Sequence, residues 1–486
     1  MVTAMAERLF IDGAWTEGRG ESVIEVRSPV TGETLGSVPV AAREDVDAAV
    51  AGARRGQPVL EAMTAFERAA LLHRAAELIE ARKEELGRAL TLEQGKPLHT
   101  EGVAEIEEAA ENFRIAAEDV KRLTTEVLPS EDRSKRMFTF RKPNGVYAVI
   151  TPWNFPFVIP SELLAPALAG GNACVLKPSE HTPLIATRMV EILEEAGFPT
   201  GSVALVQGSG ETGAALVTHS GVDAVAFVGS HETGEAIVRA AGLKRTLMEL
   251  SGNGPVIVLD DANLDVAAAM ASYGAQYVSG QCCVATERVL VADGVHDAFM
   301  ERLLDETGQV VLGDPLDEKT TMGPLNNFEV AAKMDRHLDE ARGRGMPVLA
   351  GGRRATGFPT DLYYELTVVD GVPTDTLLFR EESFGPVVPV TTFATDEEAI
   401  RLANDSHLGL QAAVFTSSLK RAFTFIDTLR TGNVVVNDTT DYWEALQPFG
   451  GASGTRTGWG RVGGRYAIED MTDLRTAIID FRNTRD

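Results

Sequence analysis

Cys283 stands in Ser279-Gly280-Gln281-Cys282-Cys283-Val284, between a helix-patterned run and the strand-like run from Arg288 to Val291. A thiol at a glycine-preceded junction is open to a substrate, and its thiolate is a strong nucleophile. Taken alone, the position reads first as a buried and inert core residue, the common fate of a free cysteine. Glu249 lies in Met248-Glu249-Leu250-Ser251-Gly252-Asn253-Gly254-Pro255, where an apolar strand end runs into a glycine-rich loop. Such a place raises a carboxyl pKa and suits a general base; the alternative is an edge carboxylate in water. Asn154, in Thr151-Pro152-Trp153-Asn154-Phe155-Pro156, can donate a side-chain amide to a developing oxyanion. It could equally close a simple turn before proline.

A second group of residues suits phosphates and sugars. Lys177-Pro178-Ser179-Glu180 falls at a predicted strand end, where open α/β sheets bind ligands. A Lys and a Glu there could hold a ribose; alone they are surface charges. Phe227-Val228-Gly229-Ser230 precedes a helix that starts near Glu232, and a small turn at a helix N-terminus is a ready phosphate site. Gly208-Ser209-Gly210-Glu211-Thr212-Gly213 fits GxGxxG, a weak signal by itself. Glu381-Glu382-Ser383-Phe384-Gly385-Pro386 reads by itself as a charged loop before the strand Val387 to Val390.

The elements that must position these residues can be read from periodicity. Asp45 to Lys121 is helical, rich in Ala, Glu, Leu and Arg with apolar positions recurring at three and four. Its Glu105, Glu107, Glu108 and Glu111 read as a solvated face. Met137 to Phe140 is a short β-prone run, and Pro143-Asn144-Gly145 marks a turn. Strands then alternate with helices. Val146–Thr151, Ala173–Lys177, Val203–Val206 and Ala224–Val228 read as strands. Glu162–Ala169, Pro183–Ala196, Gly213–Thr218 and Gly234–Ala240 read as helices. That alternation predicts a doubly wound parallel sheet. A second α/β run follows from Pro255 to about Val436, and Asp473 to Phe481 is β-prone again.

Composition bounds the rest. A chain of 486 residues is too long for one core, so two or three domains are expected. The formal net charge of −26 repels phosphate backbones, which argues against nucleic-acid and anionic-membrane partners. No signal peptide is read at Met1 to Gly13, and no apolar run is long enough to span a bilayer. Three cysteines, Cys174, Cys282 and Cys283, do not form a disulfide framework. No metal-ligand spacing is found. A cytoplasmic protein without a metal is expected.

Seven motifs in order, TPWNFP at 151–156, KPSE at 177–180, FVGS at 227–230, ELSG at 249–252, GQCC at 280–283, EESFGPV at 381–387 and PFGG at 448–451, resemble the aldehyde dehydrogenase superfamily over nearly the whole chain. The resemblance implies two doubly wound Rossmann-like α/β domains with a small β oligomerisation element. The cofactor domain would be 1–122 with 144–251 and the catalytic domain 252–454. Residues 123–143 and 455–486 would form the oligomerisation element and tail, in a homodimer or homotetramer. It also implies Cys283 as nucleophile, Glu249 as base and Asn154 as oxyanion donor, joined by the Cys283 N–H. Lys177, Glu180, Trp153, Gly208, Phe227, Gly229, Ser230, Glu382 and Phe384 would bind the nicotinamide dinucleotide. Phe155, Glu162, Cys282, Trp443 and Phe449 would border the aldehyde, with Tyr442 a further candidate for an aromatic tunnel.

The implied chemistry is attack of the Cys283 thiolate on the aldehyde to give a thiohemiacetal. Hydride loss then gives a thioester, and Glu249-activated water releases the acid. Glu180 implies NAD over NADP, because a carboxylate repels a 2′-phosphate. Members acting on carboxylate-tailed semialdehydes often carry Arg where this chain has Glu162, so a neutral or cationic, fairly apolar or aromatic aldehyde is expected. A semialdehyde, transfer of the acyl group to coenzyme A, and a non-catalytic binding protein are the alternatives. Two departures stand out. Ser251 replaces the first Gly of the ELGG motif and adds a hydroxymethyl beside the nicotinamide. PFGG continues Ala452-Ser453-Gly454-Thr455-Arg456 rather than Lys-x-Ser-Gly, which leaves the loop alignment open. Vicinal Cys282 and Cys283 raise reversible oxidation as a further expectation, against the strain of the ring they would form.

Overall fold

A computed structural model describes residues 5, 6 and 8–483. The expected cofactor region begins, and the expected tail ends, in residues outside those described. Five parallel strands form the centre of an eight-stranded sheet: β1 (Val146–Ile150), β2 (Ala173–Lys177), β3 (Val203–Leu205), β4 (Ala224–Val228) and β5 (Arg245–Glu249). Every residue of β1, β2 and β4 is buried. Continuous apolar runs of this kind are what a parallel sheet needs when helices cover both faces. The order across the sheet is β5-β4-β1-β2-β3. The chain therefore builds outward from β1 to β3, crosses back, and continues on the other side of β1. Ligands of doubly wound sheets bind at such a reversal, here between β1 and β4.

A seven-stranded sheet follows, with β6 (Pro255–Val258) and β7 (Arg288–Ala292) at its centre. Its strands are parallel except for the edge pair Val348–Ala350 with Thr367–Val369. The apolar core of the first sheet extends across to Cys282, Val284 and Leu410, so the cysteine loop sits on the seam between the two sheets.

The run expected to be short at Met137 to Phe140 is a nine-residue strand, Lys135–Pro143. It pairs antiparallel with Thr472–Asp480 along its whole length. That partner lies more than 300 residues away, so local propensity shows only the middle of the strand. Among the described residues, no helix is long and apolar enough to cross a membrane.

Two helices differ usefully from expectation. Helix α1 (Val103–Asp119) does not simply present its glutamates to water. Glu105 is buried, where it binds the Lys96 ammonium at 2.6 Å. Its other oxygen accepts the backbone N–H groups of Phe157 and Val158 at 2.9 and 3.1 Å. Those donors open helix α2 (Val158–Ala169), which begins four residues before the expected Glu162. A carboxylate at this helix N-terminus satisfies otherwise orphaned N–H groups.

Candidate active site

The site residues converge because their strands end together. Glu249 is the last residue of β5, Trp153 and Asn154 follow β1, and Gly229 and Ser230 follow β4. The cysteine arrives from the other sheet. Helix α3 (His231–Ala241) starts on the Ser230 cap, whose hydroxyl accepts the Thr233 N–H at 3.3 Å. Helix α4 (Leu264–Gln276) runs toward the seam and is reversed by left-handed residues, Val278 at φ 49° and Ser279 at φ 56°. This conformation strains a β-branched residue by about 1–3 kcal/mol, so neighbours must hold it. The Glu101 carboxylate accepts the Val278 N–H at 3.1 Å, and Ser279 Oγ donates to the Gly323 carbonyl at 2.8 Å. Gly280 follows at φ 72°, and a Cβ there would stand 2.2 Å from the Gly385 carbonyl oxygen. Gln281 then locks the loop, donating to Val278 O at 2.8 Å and accepting the Asn326 N–H at 2.8 Å.

These contacts deliver Cys283 to a cavity of about 250 Å³ that is also lined by Asn154, Glu249, Trp153, Glu382 and Phe384. The Cys283 thiol hydrogen-bonds the Glu249 carboxylate, while Oε1 of Glu249 is buried without a hydrogen-bond partner. Burial pushes Glu249 up to about 8, against the lowering effect of that thiol. The hydrogen bond with Cys282, burial and the nearby Glu249 charge hold the Cys283 thiol well above its ordinary range. Cys283 therefore rests as a thiol beside Glu249. Asn154 donates one amide hydrogen to the Gln281 carbonyl at 3.0 Å. A carboxamide has two donors, so one remains for a substrate oxygen beside Cys283. All three cysteines are free thiols.

One wall of this cavity fits a nicotinamide dinucleotide. The Glu382 carboxylate is anchored by the Gly252 N–H at 2.9 Å and by the Ser251 hydroxyl. Ser251 also accepts the His231 N–H at 3.3 Å, so the hydroxymethyl ties Glu382 to the start of α3. Gly252 could be no other residue, because a Cβ would meet the Cys283 carbonyl oxygen at 1.8 Å. Phe384, left-handed at φ 56°, stands edge-on to Trp153 with ring centroids 5.5 Å apart. Buried Glu287 accepts the Ser383 and Phe384 N–H groups at 2.7 and 2.8 Å and fixes that ring. The C-terminal loop also returns to this wall. Gly458–Trp459 pairs with Met248 and Glu249, and buried Thr457 donates to the Ser251 carbonyl at 3.0 Å.

Lys177, Glu180 and Gly208 lie away from Cys283. Lys177 ends β2, with its ammonium 3.5 Å from Glu180, and Gly208 follows β3. These strands are the first and second neighbours of β1 on the side away from β4. With strands spaced about 4.8 Å apart, an extended dinucleotide could reach from Cys283 to them. Phe227 is buried at the end of β4, its ring lying against Gly229.

A second cavity, about 180 Å³, opens on the other side of Cys283 and shares Ile159, Glu249 and Cys283 with the first. Phe155, Glu162, Cys282, Trp443 and Phe449 all line it. Tyr442 does not; it faces solvent and donates to Glu444 at 2.7 Å. Sequence reasoning missed Tyr273, on α4, and Tyr277, just past its end, whose four-residue spacing was the available signal. It also missed Glu108 and Asp441, which line this cavity.

Under the site, Lys96 sits 3.9 Å from the centroid of the Phe155 ring while bound to Glu105. Glu105→Ala would leave a buried ammonium unpaired and free the first N–H groups of α2. The expected cost is about 3–5 kcal/mol, read as a lower unfolding temperature, with activity lost in parallel. A wild-type melting temperature in this variant would show that the pair does not hold the Asn154–Phe155 loop.

Comparison with known proteins agrees with this geometry. The family model described as "Aldehyde dehydrogenase family" matches residues 15–477. The chain is 37% identical to a glutarate-semialdehyde dehydrogenase of Pseudomonas putida, over 97% of this chain and 98% of that protein. It is 39% identical to a betaine aldehyde dehydrogenase of Cereibacter sphaeroides, over 97% and 96%. The solved NAD-dependent aldehyde dehydrogenase of Sinorhizobium meliloti superposes with a TM-score of 0.96 at 36% identity, covering 100% of this chain and 97% of that one. On the family model, these relatives and this solved structure, the chain belongs to the aldehyde dehydrogenase family and is an NAD(P)-dependent oxidoreductase that oxidises aldehydes.

Proposed function

We propose that this enzyme oxidises an aldehyde to its carboxylic acid with Cys283 as nucleophile, Glu249 as base and Asn154 as oxyanion donor. The observation that carries the reading is the placement of Cys283 and Glu249 where two cavities meet, both residues lining each of them. The Cys283 proton passes to solvent as sulfur bonds to the carbonyl carbon. The free Asn154 hydrogen and the Cys283 N–H stabilise the resulting oxyanion, each donor worth about 3–4 kcal/mol. The bound nicotinamide supplies the hydride acceptor for oxidation of the thiohemiacetal. Glu249 next draws a proton from water, which attacks the thioester and releases the acid and the Cys283 thiol. A carboxylate in this position favours water over coenzyme A as acceptor. Absorbance at 340 nm with a panel of aldehydes and no coenzyme A tests the class: the carboxylic acid should form in step with NADH.

The division into a cofactor region (1–122 with 144–251), a catalytic region (252–454) and an oligomerisation element is proposed on the same footing. NAD is the preferred cofactor. Glu180, beside Lys177 at the adenosine end, can accept ribose hydroxyls and repels a 2′-phosphate. The expected kcat/KM is higher with NAD+ than with NADP+, and the reverse order would overturn this assignment. A homodimer or homotetramer is proposed because Thr472–Asp480 forms an open sheet edge carrying exposed Leu474, Ile478 and Ile479. Such an edge needs a partner strand or cover, so light scattering should give a multiple of the 52.1 kDa chain mass. A cytoplasmic location is proposed with it.

The aldehyde is neutral or cationic and fairly apolar or aromatic. Phe155, Trp443 and Phe449 supply the apolar surface, and no Lys, Arg or His lines that cavity. A carboxylate-tailed semialdehyde would find no cation there to receive it.

A further inference from the structure

The aldehyde cavity is acidic beyond what the reaction uses. Besides Glu249, it is lined by Glu108, Glu162 and Asp441, brought together by α1, α2 and the loop after the seven-stranded sheet. Oδ1 of Asp441 is buried and has no hydrogen-bond partner. The cation that acts on Glu108 is Lys96, already bound to Glu105 at 2.6 Å. Burial pushes Glu108 up to about 7 and Asp441 up to about 8. Burial, followed by the charge of Glu108, holds Glu162 well above the usual carboxylate range. Glu108, Glu162 and Asp441 are half-buried, and carboxylates drawn out of water and short of a cation are costly to keep. The same cavity holds Tyr273, Tyr277 and Trp443, whose ring faces attract cations. Toward solvent, Glu108 and Trp443 also line an outer cavity of about 430 Å³ that carries Glu107, Glu111 and Glu444. Acidic groups thus run from beside Cys283 to the mouth.

We infer that the cognate aldehyde has a cationic tail, with an ammonium group held between Glu108, Glu162 and Asp441 and, in longer substrates, a second one at the mouth. This rests on the proposed function, because it takes the cavity beside Cys283 as the aldehyde's seat. The chemical class is an ω-ammonio aldehyde, the compound left when one end of a diamine or polyamine loses its amine by oxidation or transamination. Reactions of that class must supply the substrate, and the product is an ω-amino acid. The tail takes no part in bond making. It places the carbonyl over Cys283, and its charge replaces the counter-ion these carboxylates lack.

Three aldehydes of matched length separate charge from shape: 4-(trimethylammonio)butanal, its neutral isostere 5,5-dimethylhexanal, and 5-oxopentanoate. Wild-type enzyme should show kcat/KM at least about tenfold higher for the cation than for the neutral isostere, with the carboxylate lowest. In Glu108→Gln with Asp441→Asn, the cation-to-neutral ratio should fall to within about threefold. Where that variant fails to fold, protection of wild-type Cys283 from iodoacetamide supplies the second measurement. Tetramethylammonium should slow alkylation and acetate should not. NADH formed equally well from the neutral aldehyde, or best from 5-oxopentanoate, would overturn the cationic tail while leaving the aldehyde dehydrogenase assignment intact. No NADH from any of the three, nor from a wider panel, would instead remove the reading on which the proposal rests.

Discussion

Cys283→Ala is expected to abolish NADH formation with every aldehyde, a loss on the order of 10⁴-fold or more. The size follows from the role. Without sulfur no thiohemiacetal forms, and the remaining oxyanion donors have nothing to stabilise. The substitution removes one partly exposed sulfur atom, so folding and cofactor binding should survive. NAD+ should still quench tryptophan fluorescence, since Trp153 and Trp443 flank the two cavities. Cys282→Ala is the control. Cys282 borders Asp441 and Cys283 without facing the dinucleotide wall, so its loss should leave substantial turnover. Residual activity in Cys283→Ala that disappeared only on removing Cys282 as well would move the nucleophile by one residue.

Glu249→Gln should separate the two halves of the reaction. Sulfur attack and oxidation still proceed, so about one NADH per site appears in a first burst. Hydrolysis of the thioester then fails, and steady-state turnover falls about 10²- to 10⁴-fold. The pH dependence has a definite sign. Burial lifts Glu249 to about 8, so at neutral pH most of it is protonated and unable to draw a proton from water. Turnover limited by hydrolysis should therefore rise about tenfold per pH unit below 8 and level off above it. The glutamine variant should lose that slope. An unchanged steady-state rate with no burst would assign the base elsewhere.

Much of this site was legible before any coordinates. Glu249, Asn154, Cys283 and the Gly229-Ser230 turn each sit where a strand or helix pattern stops, and the stops follow from local chemistry. Apolar runs such as Val146–Ile150 must be buried strands, and their ends must face a common edge once helices return the chain in parallel. The order of the motifs carried the family, and Ser230 announced its own helix as a cap.

What the sequence could not show was charge placed by distant partners. Glu105, Glu107, Glu108 and Glu111 share one helix, and by spacing alone all four suit a solvated face. Only tertiary packing buries Glu105 against Lys96 and the start of the Phe157–Val158 turn, and only the approach of the loop at Asp441 turns Glu108 into cavity lining. Glu101 and Glu287 are likewise ordinary in sequence, yet they hold the backbone of the Cys283 and Phe384 loops. The nine-residue pairing of Lys135–Pro143 with Thr472–Asp480 has the same origin. The chain alone determined the elements, the motif residues and the class of chemistry, because these follow from periodicity and from residue types at element ends. The tertiary structure decided which carboxylates are buried, which are left without a cation and which wall of Cys283 each ring occupies. Burial and Coulomb interactions depend on distances between segments that sequence separation does not encode.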